Sequence, residues 1–116
     1  MGFAQDRGRA GEALAAAYLE LVGCRLVARN VRLAGVEVDL VVDDGVSRAL
    51  VEVRLRSRAD YGSAATTLDR TKRERLVRAA RALEQQGVRH PRVDVVAIDL
   101  SATGATLTHH RNAIPG

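Results

Sequence analysis

Residues 36–40 read VEVDL and residues 51–55 read VEVRL, and these two segments decide the fold. In each segment apolar and charged residues alternate with the period of a β-strand, so the apolar side chains are predicted to share one face. The intervening Asp43-Asp44-Gly45 contains an Asp-Gly step, which favours a hairpin. The two segments are therefore predicted to be antiparallel neighbours.

Pairing these strands so that their apolar faces coincide predicts a single register. The predicted partners are Val38 with Val53, Leu40 with Val51, Asp39 with Glu52, and Glu37 with Arg54. Two carboxylates about 5 Å apart repel by roughly 3 kcal/mol at an effective dielectric of about 20. A divalent cation between Asp39 and Glu52 would remove this repulsion, and Mg²⁺ prefers such oxygen ligands. An ordinary solvated polar face on a hairpin is the alternative.

The remaining segments predict helices around this hairpin. The predicted helices are residues 6–21 and 68–86, and the predicted strands are residues 25–31, 36–42, 49–55, 93–100 and, last, 105–110. The nearly unbroken apolar run at 93–100 is typical of a strand buried on both faces. A long helix between the third and fourth strands predicts a crossover that joins parallel neighbours. The predicted fold class is α/β, a central mixed sheet flanked by helices in the order α-β-β-β-α-β(-β), in one domain of residues 1–116.

The first predicted helix carries two sets of residues at helical spacing. Its large apolar positions are Leu14, Tyr18, Leu21 and Val22. Its small residues are Gly8, Gly11 and Ala15, a stripe that lets the helix lie close to another element. Cys24 is predicted to pack behind this helix.

Charge is distributed unevenly along the chain. Residues 54–81 hold nine basic and three acidic residues, a net charge of +6 in a chain whose total is +4. This block indicates a polyanion partner, and a solvated arginine-rich helix is the alternative. Aromatic residues make up 3% of the chain. Base-stacking platforms are therefore not expected, and binding to nucleic acid would be salt-dependent and weakly sequence-specific.

Several classes of protein and site are disfavoured by composition. No apolar run approaches the roughly 20 residues that span a bilayer, and residues 1–9 are too polar for a secretory signal. The single Cys24 excludes an internal disulfide, so we expect a cytoplasmic protein. His109 and His110 are adjacent on a predicted strand and would point to opposite faces, a poor arrangement for a metal pair. Asp94, at the start of a buried strand, is expected to be a local hydrogen-bonding partner.

An ordered set of motifs runs through the whole chain. They are Gly8-x-x-Gly11-Glu12, Arg29-Asn30-x-Arg32, residues 36–40, residues 51–54, Lys72 before a helix rich in Leu and Ala, residues 92–96, and Asn112-Ala113. In these motifs the chain resembles the YraN family of small bacterial proteins, predicted nucleases related to archaeal Holliday junction resolvases. The resemblance implies a restriction-endonuclease-like core that binds Mg²⁺ or Mn²⁺. It implies Asp39 and Glu52 as metal ligands, Glu12 as a further acidic group, and the Val53 carbonyl as an additional ligand.

The chain departs from the family pattern at Val36, where a glycine is usual, and at Arg54, where the signature has a lysine. Arginine stays protonated, so Arg54 cannot act as a general base, although it can hold a phosphate. Lys72 is the only lysine in the chain. It lies on the apolar stripe of the second helix, which predicts that it points toward the sheet. We therefore hypothesise that Lys72 reaches the metal site with Arg54 in support; a lysine that snorkels along the helix flank is the alternative.

The leading functional hypothesis is a cytoplasmic metal-dependent nuclease acting on DNA, and the family adds branched or irregular substrates. Glu37 is predicted to orient Arg54, while Arg54 and Lys72 contact the phosphate. A general basic surface is predicted at Arg56, Arg58, Arg73, Arg75 and Arg78. Two alternatives are an inactive nucleic-acid-binding module that retains the fold and a metal-free interaction protein. Related nucleases that cut both strands often work as dimers, so a homodimer is a further expectation.

Overall fold

The computed structural model describes residues 3–57 and 68–114, with side chains from residue 7 onward. The elements in chain order are α1 (Phe3–Leu21), β1 (Arg25–Leu33), β2 (Val36–Asp43), β3 (Arg48–Arg56), α2 (Arg70–Gln85), β4 (Arg92–Ser101) and β5 (Gly104–His110). The predicted order of elements and the α/β class are confirmed. Within the described residues, neither helix is long and apolar enough to cross a membrane.

The five strands form one mixed sheet in the order β1-β2-β3-β4-β5. Strands β1 to β3 are antiparallel neighbours, β3 and β4 are parallel, and β5 returns antiparallel to β4. The helix α2 lies between β3 and β4 in the chain, because parallel neighbours need a crossover connection. The predicted parallel pairing across the second helix is therefore confirmed.

Each face of the sheet is covered by one helix. Leu76, Ala79 and Leu83 of α2 belong to one cluster of buried side chains. Ala15, Ala16 and Leu19 of α1 belong to a second cluster, which also contains Cys24 and the β4 residues Val96 and Ile98. The predicted packing of Cys24 behind the first helix is confirmed.

The face of α1 that packs on the sheet differs from the predicted apolar stripe. Most of its buried residues are small, whereas Leu14, Leu21 and Val22 are among the exposed large apolar residues of the structure. Between residues 10 and 22 the only charged residues are Glu12 and Glu20, so the helix is apolar almost all round. Periodicity alone therefore did not determine the packed face. Of the predicted small-residue stripe, Gly11 and Ala15 lie in the buried face and Gly8 is exposed.

The pairing of β2 with β3 follows the predicted register only in part. Leu40 lies opposite Val51 as predicted, but the ladder ends at this pair and does not reach the three predicted pairs beyond it. Those pairs are Val38 with Val53, Asp39 with Glu52, and Glu37 with Arg54. Leu40 also points to the α1 side, whereas Val38 points to the α2 side, so these residues do not share a face as predicted.

The reason for this break is a side-chain hydrogen bond. The backbone N–H of Val53 donates to Asp39 Oδ2 at 2.8 Å. The Asp39 carboxylate thus accepts a hydrogen bond that, in a regular ladder, would go to a backbone carbonyl of β2. The strands are joined through a side chain at this point, and a gap between them is left for other groups.

A buried ionic network fixes the opposite end of the sheet. Asp94, which is fully buried, accepts hydrogen bonds from Arg92, from His109 Nε2 at 2.9 Å and from the backbone of Asn112. Burial opposes the ionisation of Asp94, but the hydrogen bonds outweigh it and lower its pKa to about 2. Arg92 also donates to Asp44 at 2.8 Å, so the network joins β4 and β5 to the β2–β3 hairpin. Asp94 is the local hydrogen-bonding partner that the sequence predicted.

Candidate functional site

Lys72 and Glu52 meet where the gap between β2 and β3 faces the first turn of α2. Lys72 Nζ lies 3.4 Å from Glu52 Oε2. The helix begins here because Asp69 is its N-cap and accepts a hydrogen bond from the Lys72 backbone N–H at 2.7 Å. The cap fixes the first turn and thereby the direction of Lys72. The Lys72 side chain points toward the sheet, as its place on the apolar stripe predicted. Its action at a metal site stays a prediction.

Glu52 is the most unusual ionisable group of this gap. It is only 5% exposed, and its Oε1 atom has no hydrogen-bond partner among the described residues. Burial raises the pKa of Glu52 to about 7, the charge of Asp39 adds to the rise, and Lys72 offsets part of it. The Asp39 carboxyl group is close enough to Glu52 for a side-chain hydrogen bond when one of the two groups carries a proton. The pair therefore needs either a proton or a cation.

Asp39 borders the same gap from β2. Burial raises its pKa, while the hydrogen bond from Val53 and the charge of Lys72 partly offset the rise. In an extended strand the N–H and C=O of one residue point to the same neighbour. Because the Val53 N–H is directed at Asp39, we expect the Val53 carbonyl to face the gap as well. Two carboxylates and one carbonyl then border it.

Glu12 approaches Asp39 from α1. Burial raises the pKa of Glu12, and the negative charge of Asp39 raises it further, whereas a hydrogen bond with the Asn30 side chain lowers it. Asn30 lies between the ladder pairs Arg29↔Leu40 and Val31↔Val38 and has a left-handed φ of 48°. Sequence reasoning did not assign a role to Asn30, although it noted the motif that contains it. An asparagine inside a predicted strand was the available signal, since asparagine tolerates this conformation.

A pocket of about 430 Å³ opens in front of Asp39. Its wall includes Glu37, which is exposed, together with three basic side chains of α2. Its lining residues are Arg32, Gly35, Val36, Glu37, Asp39, Lys72, Arg75 and Arg78. The pocket combines an acidic floor with a basic rim, and Arg32 is a lining residue that sequence reasoning did not single out.

The structure separates the predicted basic residues into groups. Arg54 is half-buried on β3, and its charge favours the ionised form of Glu52. Arg75 and Arg78 are exposed and line the pocket, whereas Arg73 is exposed on another flank of α2 beside Ile114. Arg58 lies outside the described residues.

Arg56 requires a correction. It was predicted to belong to a solvated basic surface, but it is buried, with 6% of its surface exposed. Its Nε donates to Asp99 Oδ1 at 2.6 Å and its Nη2 donates to Asp99 Oδ2 at 2.9 Å. A buried bidentate pair of this kind links neighbouring strands, so we assign Arg56 to the fold.

The described residues do not form a preformed cage of three or more carboxylate, imidazole or thiolate ligands. Within residues 3–57 and 68–114, no three His, Cys, Asp or Glu side chains are grouped closely enough to hold a metal ion. A cation in the gap would therefore rely on two carboxylates, backbone oxygen, water and substrate. Mg²⁺ binds in this way more often than in all-protein cages. The donor set around Glu52 and Asp39 fits such an ion.

Comparison with known proteins places the chain among a group of bacterial relatives. The model of the family described as "Uncharacterised protein family UPF0102" matches residues 11–98. A UPF0102 protein of Halorhodospira halophila is 47% identical over 98 residues, which are 82% of this chain and 78% of that protein. A UPF0102 protein of Stutzerimonas stutzeri is 38% identical over 117 residues, or 97% of this chain and 98% of that protein.

Among solved structures, Pyrococcus furiosus SfsA in complex with Ca²⁺ covers 93% of this chain and 63% of its own at 14% identity. The TM-score is 0.38, which is too low to establish a common fold. The sequence matches are decisive by contrast, since the family model spans most of the chain. The chain belongs to the UPF0102 family.

Proposed function

We propose that this protein is a divalent-metal-dependent nuclease with a restriction-endonuclease-like core that hydrolyses phosphodiester bonds in DNA. The observation that carries the proposal is the buried Glu52 Oε1 atom, which has no hydrogen-bond partner among the described residues and lies in a site shared with Asp39. Two neighbouring carboxylates repel in a folded protein unless a proton or cation lies between them. A site that retains both of them is suited to a hard cation.

Asp39 and Glu52 would hold Mg²⁺ or Mn²⁺, with the Val53 carbonyl as a further oxygen ligand. Glu12 lies close enough to Asp39 for their charges to interact and would add negative potential from the other side. When bound, the cation would supply charge neutralisation at the phosphodiester and activation of the attacking water. The resemblance to the YraN family supports the same assignment, because its motif residues are the ones that border the gap.

Lys72 would take the role of the family's signature lysine, whose position on β3 is occupied by Arg54 in this chain. Its Nζ atom contacts Glu52 at 3.4 Å and favours the ionised, metal-binding form of that carboxylate. It also lines the pocket, so the same ammonium group can hold a phosphate oxygen in front of Asp39. Arg54 would support it as a fixed positive charge beside Glu52.

The substrate would be held by its sugar-phosphate backbone. Arg75 and Arg78 line the pocket from α2, and Arg32 lines it from β1. Arginine binds phosphate through two parallel hydrogen bonds and carries no base specificity in that contact. We therefore propose recognition by charge and shape, and the family resemblance makes branched DNA the first substrate to examine.

The test is a cleavage assay with Mg²⁺ and Mn²⁺ on single-stranded, duplex, flap and four-way-junction DNA. Asp39→Ala removes one proposed ligand, and Glu84→Gln, an exposed carboxylate on α2, is the matched control. We expect cleavage by the wild type and by Glu84→Gln, with loss of cleavage in Asp39→Ala. Equal cleavage by Asp39→Ala would identify a contaminant and refute the assignment.

A second candidate is a nucleic-acid-binding module without catalysis, and Arg54 in the place of the signature lysine favours it. Calorimetry with Mn²⁺ distinguishes the possibilities independently of cleavage. Metal binding that requires Asp39, together with salt-sensitive DNA binding and no cutting, would support the binding module. No metal binding at millimolar Mn²⁺ would refute both metal-dependent functions and leave a polar network in an interaction protein.

A further inference from the structure

The outer face of α1 is an apolar surface that the described part of the chain leaves exposed. It consists of Ala10, Ala13, Leu14, Ala17 and Leu21, all of which are exposed. Leu21 is 84% exposed and Leu14 is 46% exposed. A helix that is apolar on all sides is normally buried on all sides, because each exposed apolar side chain forgoes its transfer out of water.

The spacing of this face is that of a helix-pairing seam. Ala10, Leu14, Ala17 and Leu21 follow one another at intervals of four, three and four residues. Such intervals keep one side of a helix in contact with a partner helix over successive turns. The seam alternates small and large side chains, as interdigitating packing requires.

The outer face is complementary to itself when two copies run antiparallel. Consider a twofold axis that is perpendicular to α1 and lies level with the midpoint between residues 15 and 16. Ala10 then faces Leu21 of the other copy, and Leu14 faces Ala17 of the other copy. Every large residue then meets a small one. The same surface of each copy forms the interface, which is the defining property of an isologous dimer.

Charges at the edge of the outer face favour the same arrangement. Arg9 and Glu20 are both exposed and lie on the same flank of α1. In an antiparallel pair about this axis, equivalent flanks face each other, so Arg9 of one copy comes within side-chain reach of Glu20 of the other. In a parallel twofold pair the two copies of this flank would lie on opposite sides of the seam, so the contact between Arg9 and Glu20 would not form.

We propose that the outer face of α1 is an interface between two copies of this chain, paired antiparallel through α1. The described residues that line the pocket in front of Asp39 all lie outside α1, so none of them is part of the proposed interface. The proposal rests on the exposed seam and its charges and does not depend on the proposed function. It assigns the homodimer to a defined surface.

Sedimentation equilibrium of the full chain over a concentration series tests the proposal. We expect a wild-type dimer and at least a tenfold weaker association for Leu21→Glu, because the new charge would be desolvated in the interface. The control is Val46→Glu, since Val46 is 95% exposed at the tip of the β2–β3 hairpin and is not part of the outer face of α1. It should associate as the wild type does.

A charge exchange tests the direction of pairing. Glu20→Arg alone should weaken the dimer, and the double variant Arg9→Glu with Glu20→Arg should restore it. A monomeric wild type, or a Leu21→Glu chain that still dimerises fully, would overturn the proposal. Failure of the double variant to restore association would overturn the antiparallel arrangement. Flotation of a monomeric wild type with anionic lipid vesicles would assign the outer face to a lipid surface instead.

Discussion

Glu52 links the stability of the folded chain to pH. Its pKa is raised from the ordinary 4.5 to about 7, chiefly by burial. The folded state therefore binds this proton more tightly than the unfolded state does. The contribution of Glu52 to the free energy of unfolding is fully present below about pH 4.5 and is lost as pH rises through about 7.

The substitution Glu52→Gln should remove the loss of stability that the wild type shows as pH rises. In EDTA at pH 8 we expect the variant to be more stable than the wild type by about 1–3 kcal/mol, since position 52 no longer carries a buried carboxyl group that has to ionise. At pH 4.5 the two proteins should be nearly equal. Urea unfolding at both pH values measures the difference, with Glu84→Gln as the exposed control. A stability gain of the same size at both pH values would contradict the titration argument.

Lys72 is the residue on which the proposed chemistry depends most directly after the two carboxylates. Lys72→Met keeps the length of the side chain and removes its charge, so the cleavage rate should fall about 100-fold, the usual effect of losing one group that stabilises charge in the transition state. Binding to DNA should change by only a few-fold. Lys72→Arg should retain part of the rate because it keeps the positive charge. An unchanged rate in Lys72→Met would show that this lysine only covers the flank of α2.

At the scale of elements, the sequence predicted each helix and strand but not the way in which β2 ends its pairing. Alternation from Val36 to Leu40 was extended through Asp39 as if the strand were regular. The hydrogen bond from Val53 to Asp39 interrupts that regularity and turns Leu40 to the opposite face from Val38. A periodicity argument cannot detect such a bond, because it treats a carboxylate only as a polar position.

Local sequence patterns also could not predict which charged residues are buried and which are exposed. Arg56 follows Arg54 with strand spacing; Arg54 was predicted to contact the phosphate and Arg56 to belong to a general basic surface. The burial of Arg56 depends on Asp99, which lies 43 residues away in the chain and reaches it only through the parallel pairing of β3 with β4. Lys72, in contrast, was predictable, because its place on the apolar stripe of α2 is a local property.

The Asp94 network should be the main polar determinant of stability at the start of β4. Asp94→Ala removes the acceptor of the buried His109 side chain and one acceptor of the half-buried Arg92, which keeps its bond to Asp44, and we expect a loss of about 3–5 kcal/mol in the free energy of unfolding. Glu74→Ala breaks an exposed i,i+4 pair with Arg70 and should cost less than about 0.5 kcal/mol. Urea titrations of the three proteins provide the comparison. Similar losses in both variants would mean that the network is no more important than a surface pair.

At the scale of the whole molecule, part of the positive charge of α2 lies where the acidic gap opens to solvent. The sequence located this charge in residues 54–81, and the fold turns part of it toward the pocket by placing α2 over β1 and β2. Arg75 and Arg78 therefore stand beside Asp39, although each is remote from it in sequence. Net charge alone would not distinguish these residues from arginines elsewhere.

This arrangement predicts a specific salt dependence. Each arginine that contacts a phosphate releases about one counterion, so replacing Arg75 and Arg78 by alanine should reduce the slope of log Kd against log salt by about 2. The charge-matched control is the double alanine variant of Arg89 and Arg111, which are exposed and do not line the pocket. Fluorescence anisotropy with duplex and junction DNA between low and moderate salt gives both slopes. Equal slopes for the two double variants would show that DNA is attracted by overall charge, and the proposed path of the backbone across the pocket would be wrong.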